Sequence, residues 1–343
     1  MKMLQHVLLK EKRKFISYMT ICLVLLIILI VTTVSLGASE MSMADGYQVI
    51  FNKVFGLEND EIKESIVWDI RLPRILSGFL IGAALSVAGV IFQSVLRNPL
   101  ADPYTLGVST GAAFGAVLTI YINMVYSLLI PIMPVAFIFA GLTLVIIMKI
   151  AGRTLHSTRL ILAGIIIGSI FSAGISLLKY LAGEDVSAMV FWLMGRLSAK
   201  SWMDVVILFP LVMISIIISY AMSDDLDVLT LGINEARSIG VDANKRARQF
   251  LIIAAVLTAV CVSTSGIIGF VGLIVPHLIR MGFTAKHRYL MPLSALLGGL
   301  VLVLADSISR LMFQVEIPVG VITTLIGGPF FIYIYMNKKG EIL

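Results

Sequence analysis

Residues 71–107 read RLPRILSGFLIGAALSVAGVIFQSVLRNPLADPYTLG, and this stretch decides the fold. Two arginines, Arg71 and Arg74, precede an uncharged run from Ile75 to Leu96. The run is long enough to cross a bilayer as a helix. Glycine, alanine and serine recur through it, which is typical of a membrane helix packed closely against other helices. The stretch therefore predicts a central helix of a membrane bundle, with the NPLADP segment as an inner turn into the next span.

Composition excludes most other classes of protein. Of the 343 residues, 59% are hydrophobic and 13% are charged, whereas soluble domains carry roughly twice that share of charge. The long apolar runs are unlike the alternating segments of about ten residues in a membrane β-barrel. Only helices and closed barrels satisfy their backbone in lipid, so we expect an all-α polytopic membrane protein. Cys22 and Cys261 lie in apolar runs and indicate neither a disulfide framework nor metal-ligand spacing.

The hydropathy pattern predicts a single transmembrane domain, 1–343, with ten spans. The seventh and eighth spans form one apolar block that is interrupted only by serine, threonine and glycine. The first follows a basic start and is longer than the apolar core of a cleaved signal peptide, which favours a retained helix. The predicted spans are 15–37, 75–96, 106–124, 128–149, 159–181, 203–222, 250–265, 266–283, 291–309 and 320–336.

The distribution of lysine and arginine predicts the orientation of the chain. If the N-terminus is cytoplasmic and the spans alternate, 18 of the 26 Lys and Arg residues lie in the cytoplasm. This bias favours both termini inside. It leaves Arg71, Arg74 and Arg310 at the outer surface, where the rule disfavours them. They could form bidentate pairs with an acidic partner or contact headgroup phosphates.

Two connections between the spans are longer than a simple turn requires. The outer segment 181–202, LAGEDVSAMVFWLMGRLSAKSW, is amphipathic and fits either an interfacial aromatic anchor or a short re-entrant gating helix. The inner loop 223–249 is predicted to form two helical pieces separated at Gly240. Asp224 or Asp225 would cap the first piece and Asp242 the second. Apolar residues recur in this loop, which favours docking to a cytoplasmic partner over a plain solvated loop.

Motifs for nucleotide binding and for a zinc protease are absent from the sequence. It contains no GxxxxGK[ST] or HExxH motif, so an intramembrane enzyme is disfavoured. Ionisable residues within spans are few, and Asp306 is spaced from Arg310 for a local i,i+4 ion pair. An ion-coupled secondary transporter is expected to carry a series of intramembrane carboxylates. That class is therefore disfavoured, although it stays an alternative.

A weak internal similarity predicts an inverted repeat. Residues 74–89 and 248–266 both pass from an arginine into an apolar helix rich in small residues. The first is predicted to begin outside and the second inside, as in an inverted-topology repeat. The predicted repeats are 71–181 and 250–336, separated by the cytoplasmic loop 223–249.

Three long motifs resemble those of the FecCD/BtuC-like permeases. These are residues 71–115, residues 266–280 (GIIGFVGLIVPHLIR), and ADSISR at 305–310 followed by EIPVGVITTLIGGPFFIYI at 316–334. The resemblance extends over nearly the whole chain. Such permeases are membrane subunits of type II ABC importers for iron–siderophores, haem and vitamin B12. The resemblance thus implies a transport subunit without ATPase activity, located in the cytoplasmic membrane of a bacterium.

The resemblance also implies partners and functional residues. We expect a dimer with a second copy or a paralogue, two cytoplasmic ATPases, an extracytoplasmic binding protein and lipid, but no nucleic acid, cofactor or metal. The expected ligand is a ferric siderophore or related iron chelate, with haem or cobalamin as alternatives. Arg71, Arg74 and Arg310 occupy the positions that match the family's docking arginines. The candidates for ATPase coupling are Gly232, Glu235, Ala236, Arg237 and Gly240. The family lines its pathway with the fifth and tenth helices, and the hydroxyl residues that lie there are Ser169, Ser172, Thr323 and Thr324.

Overall fold

The computed structural model describes residues 2–35, 41–152, 155–238, 240–311 and 316–337, and all regular elements in these ranges are helical. A π-helical segment, Ser65–Arg71, leads into α4, and a 3₁₀ turn, Gly183–Val186, leads into α8. The α-helices are α1 (Lys2–Ser35), α2 (Met43–Phe55), α3 (Glu61–Glu64), α4 (Leu72–Val95), α5 (Val108–Tyr126), α6 (Ile132–Ala151), α7 (Ser157–Ala182), α8 (Ser187–Leu193), α9 (Trp202–Ala221), α10 (Ser223–Leu231), α11 (Ile233–Ser238), α12 (Ala243–Ser265), α13 (Val271–Gly282), α14 (His287–Leu311) and α15 (Val319–Asn337).

The prediction of ten spans is confirmed. Among the described residues, eight helical stretches are long and apolar enough to cross a membrane, and two shorter apolar helices lie in α13 and α15. Two predicted boundaries are wrong. The first helix begins at Lys2 rather than near residue 15, because its basic turns continue the same helix. The eighth begins at Val271 rather than at 266, because residues 266–270 form a non-helical connection.

Helix α4 is the central helix of the bundle, as its small residues predicted. Of its most apolar 18-residue window 89% is buried, whereas none of the corresponding window of α1 is. Pro73 lies in the first turn, where an amide hydrogen is not needed for the helical ladder. The helix ends where Arg97 adopts a left-handed conformation (φ 49°), and Pro99 prevents its continuation.

Glycines bring the backbones of three helices into contact along α4. A β-carbon at Gly82 would clash with the backbone of Gly298 in α14, and one at Gly89 would clash with Gly272 in α13. A β-carbon at Gly298 would in turn overlap Ser86 of α4. These helices therefore pack at a distance that larger residues exclude, which is the usual role of small residues in membrane bundles.

Helices α5 and α13 both begin inside the bundle rather than at its ends. Gly107, which precedes α5, approaches the backbone of Gly164, well within α7. Gly272, in the first turn of α13, packs on Leu85 and Gly89, and Gly89 lies six residues (about 9 Å) before the end of α4. The residues preceding the two helices, Gly107 and Phe270, have nearly identical left-handed φ angles of 67° and 68°.

The two connections that lead into α5 and α13 meet each other. The hydroxyl of Tyr104 donates to the carbonyl oxygen of Ile268 at 2.6 Å and accepts from the Ile268 amide at 2.7 Å. The Asp102 carboxylate accepts from the Tyr104 amide at 3.0 Å and from the Phe270 amide. NPLADP is thus more than the predicted inner turn, because residues 96–107 fold back into the bundle and pair with residues 266–270.

Candidate functional site

A cluster of charged residues lies at the N-terminal end of α4 and is called here the arginine end. Its members are Arg71, Arg74, Asp306, Arg310 and Glu316. The Arg74 guanidinium donates from Nε to both carboxylate oxygens of Asp306 at 3.1 and 3.0 Å. Its Nη2 donates to Asp306 Oδ1 at 2.9 Å, and its Nη1 donates to Glu316 Oε1 at 2.9 Å. Arg74 therefore joins α4 to α14 and to the segment that precedes α15.

Arg71 and Arg310 lie beside this pair. Arg71 Nη1 donates to the carbonyl oxygen of Val34, near the end of α1, at 2.7 Å, and Arg71 is close enough to Arg310 to interact electrostatically. Arg310 Nε lies 3.5 Å from Asp306 Oδ2, and this buried nitrogen has no hydrogen-bond partner among the described residues. The expected local pair between Asp306 and Arg310 is thus the weaker contact, because Arg74 forms the bidentate pair.

The structure brings the three predicted docking arginines together but buries them. Arg71 and Arg74 are only 6% and 8% exposed, and the side chain of Arg310 is 8% exposed. Buried charges are stable only when they are paired. Among the described residues, Asp306 lies against both Arg74 and Arg310, and Glu316 pairs with Arg74. The arginine end is therefore a largely buried network of positive and negative charges.

A cavity of about 190 Å³ opens beside Arg74. Its polar lining includes Arg74, Arg196, Asp306 and Glu316, and Phe191 of α8 forms part of its apolar wall. Arg196 is exposed, and the amide of Arg196 donates to the carbonyl oxygen of Ser265 at 2.8 Å. Sequence reasoning placed Arg196 outside without giving it a role. The available signal was that the positive-inside rule disfavours it as much as the other three.

The segment after α8 joins two elements near this cavity. The Gly320 amide, in the first turn of α15, donates to the carbonyl oxygen of Gly195 at 3.2 Å. Gly195 also has no room for a β-carbon, because it contacts the backbone of Ile267. Segment 181–202 therefore contains a short helix, α8, whose end contacts both the start of α15 and the 266–270 connection. The choice between anchor and gating helix stays open.

The connection between α9 and α12 forms two short helices, α10 and α11, near the C-terminal end of α4. The predicted break at Gly240 is present, because residues 240–242 are not helical and separate α11 from α12. A further break that was not predicted separates α10 from α11 at Gly232, whose φ of 133° is rarely adopted by other residues. Met222 is the N-cap residue of α10, so neither Asp224 nor Asp225 caps it. Asp242 does cap α12, since its carboxylate accepts from the Lys245 amide at 3.1 Å.

The predicted coupling residues occupy different environments in this loop. Ala236 is fully buried, and its amide donates to the Gly232 carbonyl at 3.0 Å. Glu235 and Gly240 are exposed, and Gly240 (φ 88°) has open space around it. Arg237 lies in α11, and its side chain is outside the described part of the chain. The exposed residues are thus available to a partner, whereas Ala236 holds the loop together.

Helix α10 is tied to α4 and α14 by a contact that sequence reasoning missed. His287 Nδ1 lies 2.6 Å from Asp227 Oδ1, and the His287 amide donates to the same oxygen at 3.1 Å. His287 Nε2 lies 2.5 Å from the Ser94 hydroxyl in the last turn of α4. The available signal in the sequence was the position of His287 near the start of a predicted span, where a polar side chain can bridge elements.

The predicted pathway residues divide into two groups. Ser169 and Ser172 of α7 and Thr324 of α15 are exposed on this chain. Thr323 is only 7% exposed, and its hydroxyl donates to the Gly320 carbonyl at 3.1 Å. Thr323 therefore faces the interior of this chain, whereas the other three lie on its surface. No cluster of three potential metal ligands occurs among the residues that the structure describes.

The sequence profile of the FecCD transport family matches residues 25–337. The chain belongs to the FecCD transport family. Among its FecCD relatives, the Fe(3+)-citrate import system permease protein YfmE of Bacillus subtilis is 37% identical, and the alignment covers 95% of this chain and 96% of YfmE. The cobalamin import system permease protein BtuC of Halobacterium salinarum is 40% identical, with 81% of this chain and 75% of the relative aligned.

The fold of this FecCD chain also matches a solved structure. A metal-chelate type ABC transporter in an inward-facing conformation aligns with a TM-score of 0.82 and 32% identity, over 93% of this chain and 98% of the other. The all-α, BtuC-like architecture expected from the sequence is thereby confirmed. The chain is a membrane permease subunit of the ABC importer class, which makes transport rather than catalysis its function.

Proposed function

We propose that this FecCD permease moves a ferric siderophore or a related iron chelate inward across the cytoplasmic membrane. The observation that carries the proposal is that α4 and α14 join a positive cluster at one end to the α10–α11 pair at the other. A rigid helix pair with recognition sites at both ends suits a subunit that links an external ligand carrier to an internal motor. The Fe(3+)-citrate relative favours an iron chelate, and the cobalamin relative keeps cobalamin as the second candidate.

The arginine end is proposed to face outward and to dock an extracytoplasmic binding protein, with both termini in the cytoplasm. Arg74 and Arg310 share the Asp306 carboxylate, and Arg310 Nε has no hydrogen-bond partner among the described residues, which leaves a donor for an acidic side chain of a partner. Because the arginines are buried, a partner has to displace water or a resident group to reach them. Desolvated charge pairs of this kind contribute strongly to docking.

The α10–α11 pair of each permease subunit is proposed to bind one copy of a cytoplasmic ATPase, so that a permease dimer binds two copies. Glu235 and Gly240 offer an exposed surface for that contact. Movement of α10 would be transmitted through Asp227 and His287 to the start of α14 and the last turn of α4. Such rigid-body coupling is a common mode of conformational change.

The exposed faces of α7 and α15 are proposed to pack against the second permease copy and to line the pathway between the copies. Ser169, Ser172 and Thr324 lie on these faces amid apolar residues. A few hydroxyls on an apolar wall bind a bulky chelate weakly, which suits passage rather than storage. The division into repeats 71–181 and 250–336 is supported by the similar starts of α5 and α13.

The function is tested by reconstituting the permease with the ATPase and binding protein encoded beside it. We expect ATP-dependent uptake of a ferric siderophore into proteoliposomes, and no uptake without the binding protein. Haem and cobalamin are tested in parallel, and selective uptake of either would reassign the ligand. Gradient-driven uptake by the chain alone, without the ATPase, would instead identify an ion-coupled secondary transporter.

A further inference from the structure

We propose that the cavity at the arginine end is a carboxylate-binding site in which Glu316 is an exchangeable resident and Arg196 is an additional docking arginine. This inference rests on the proposed docking function and identifies how that site is regulated. It concerns two residues outside the set of Arg71, Arg74 and Arg310. The incoming group is an acidic side chain of the binding protein.

The two carboxylates on Arg74 differ in their access to a partner. Asp306 binds Nε and Nη2 from α14, and its side chain is only 4% exposed. Glu316 binds Nη1 through a single hydrogen bond of 2.9 Å, and its side chain is 53% exposed. The Glu316 carboxylate can therefore leave Arg74 and be hydrated by water, whereas the Asp306 carboxylate would remain buried without its partner. Only the Glu316 position can be exchanged for a carboxylate that arrives from outside.

Arg196 supplies a second positive charge in the lining of the cavity. Its backbone is held by the hydrogen bond to Ser265, and the neighbouring Gly195 contacts Ile267. The Arg196 side chain is exposed and forms no ion pair with any residue that the structure describes. A carboxylate in the cavity would thus have two arginines within the same lining, one already oriented by Asp306. Arginine is well suited to such planar, bidentate recognition.

Exchange of Glu316 would change the contacts at the start of α15. The Ile317 carbonyl accepts a hydrogen bond from the Ser309 hydroxyl, and Gly320 is bonded to Gly195. Glu316 therefore ties the segment before α15 to α4 through Arg74. A partner carboxylate that takes Arg74 Nη1 releases this tie, so Glu316 competes with docking and lowers the affinity of the free permease for its partner.

The experiment measures the affinity of the permease–ATPase complex in lipid nanodiscs for the ligand-loaded binding protein encoded with it. Removal of the resident carboxylate in Glu316→Gln is expected to raise the affinity about threefold or more. Removal of the second arginine in Arg196→Gln is expected to lower it about tenfold, or about 1.4 kcal/mol. Glu58→Gln and Lys179→Gln make the same changes of charge outside the cavity lining and are expected to change the affinity less than about twofold.

Several outcomes would overturn the inference. If Glu316→Gln or Arg196→Gln behaves like its matched control while Arg71→Glu abolishes docking, the inference fails and the proposed docking function stands. If the wild-type complex does not bind the binding protein at all, the proposed function fails first. If the Arg196 effect requires anionic lipid and is absent in phosphatidylcholine nanodiscs, the cavity binds headgroup phosphate instead.

A second variant covers the case in which Glu316→Gln does not assemble with the ATPase. Glu316→Asp keeps the charge but shortens the side chain by one methylene, so it weakens the contact with Arg74 Nη1 without neutralising the segment. It is expected to raise the docking affinity by less than Glu316→Gln does. An affinity equal to or below that of the wild type, in an assembled complex with unchanged thermal stability, would show that Glu316 does not compete with the partner carboxylate for Arg74.

Discussion

Two parts of the stretch from Arg71 to Gly107, the arginine end and the glycine-lined middle of α4, hold the bundle together in different ways. At the arginine end, α4 is joined to its neighbours by side chains, through Arg74, Asp306 and Glu316. Further along, Gly82 and Gly89 bring backbone against backbone, with no side chain between the helices. A side-chain contact can exchange one partner for another, whereas a backbone contact cannot. Regulation is therefore expected at the arginine end, and rigidity along the glycine-lined part.

The glycine-lined part is predicted to be the least tolerant. Gly89→Leu places a side chain where even a β-carbon clashes with the backbone of Gly272, and no flexible side chain can move aside. We expect loss of folded protein, measured as the monodisperse fraction after detergent extraction. Gly141→Leu in α6 is the matched control, because a β-carbon at Gly141 would have nothing within 4 Å of it. Equal yields for the two variants would show that α4 and α13 can separate.

The arginine end is predicted to tolerate removal of both Arg74 and Asp306 better than removal of Asp306 alone. Asp306→Ala leaves Arg74 and Arg310 buried without their shared carboxylate, which typically costs roughly 3–5 kcal/mol of stability. Arg74→Leu combined with Asp306→Leu removes both charges, and we expect a smaller loss. Thermal unfolding in detergent compares the variants. A double variant less stable than Asp306→Ala would indicate that the pair stabilises the fold beyond mutual compensation.

Docking of the binding protein is predicted to depend on the arginine end and not on the glycine-lined part. Arg71→Glu reverses one of the three proposed docking charges and is expected to weaken binding of the binding protein by about 2–4 kcal/mol if the pair is desolvated. Surface plasmon resonance on the nanodisc complex measures the change. Arg71→Gln keeps a donor for the Val34 carbonyl and separates loss of charge from loss of that contact. Unchanged affinity in Arg71→Glu would remove Arg71 from the docking site.

The contact between the two connections is predicted to have the smallest effect. Tyr104→Phe removes the hydroxyl that binds both the amide and the carbonyl of Ile268, and we expect a loss of about 1–3 kcal/mol of stability. Tyr126→Phe at the exposed end of α5 is the control and should be neutral. Thermal unfolding checks both variants. A neutral Tyr104→Phe would mean that α5 and α13 are held by packing alone.

Much of the fold could be predicted from the sequence because hydropathy is a local property. Ten spans, a central α4 and the positions of the arginines follow from runs of apolar residues, small residues and charge. The connection at 266–270 could not be predicted, because its residues are as apolar as the helices on either side. The break at Gly232 was missed because a single glycine within a helical pattern can be tolerated, and only the fold shows that this one adopts a φ of 133° and ends α10.

Lipid imposes its requirements on each segment separately, so the class of protein, the number of spans and the set of arginines could be read from the amino-acid sequence alone. What the charges and the NPLADP segment do depends on how the helices pack. Arg74 pairs with Asp306 across 232 residues of chain, and Tyr104 pairs with Ile268 across 164. Partners so far apart are selected by helix packing, and no local pattern records them. The same packing buried the arginines and placed Glu316 between Arg74 and the surface.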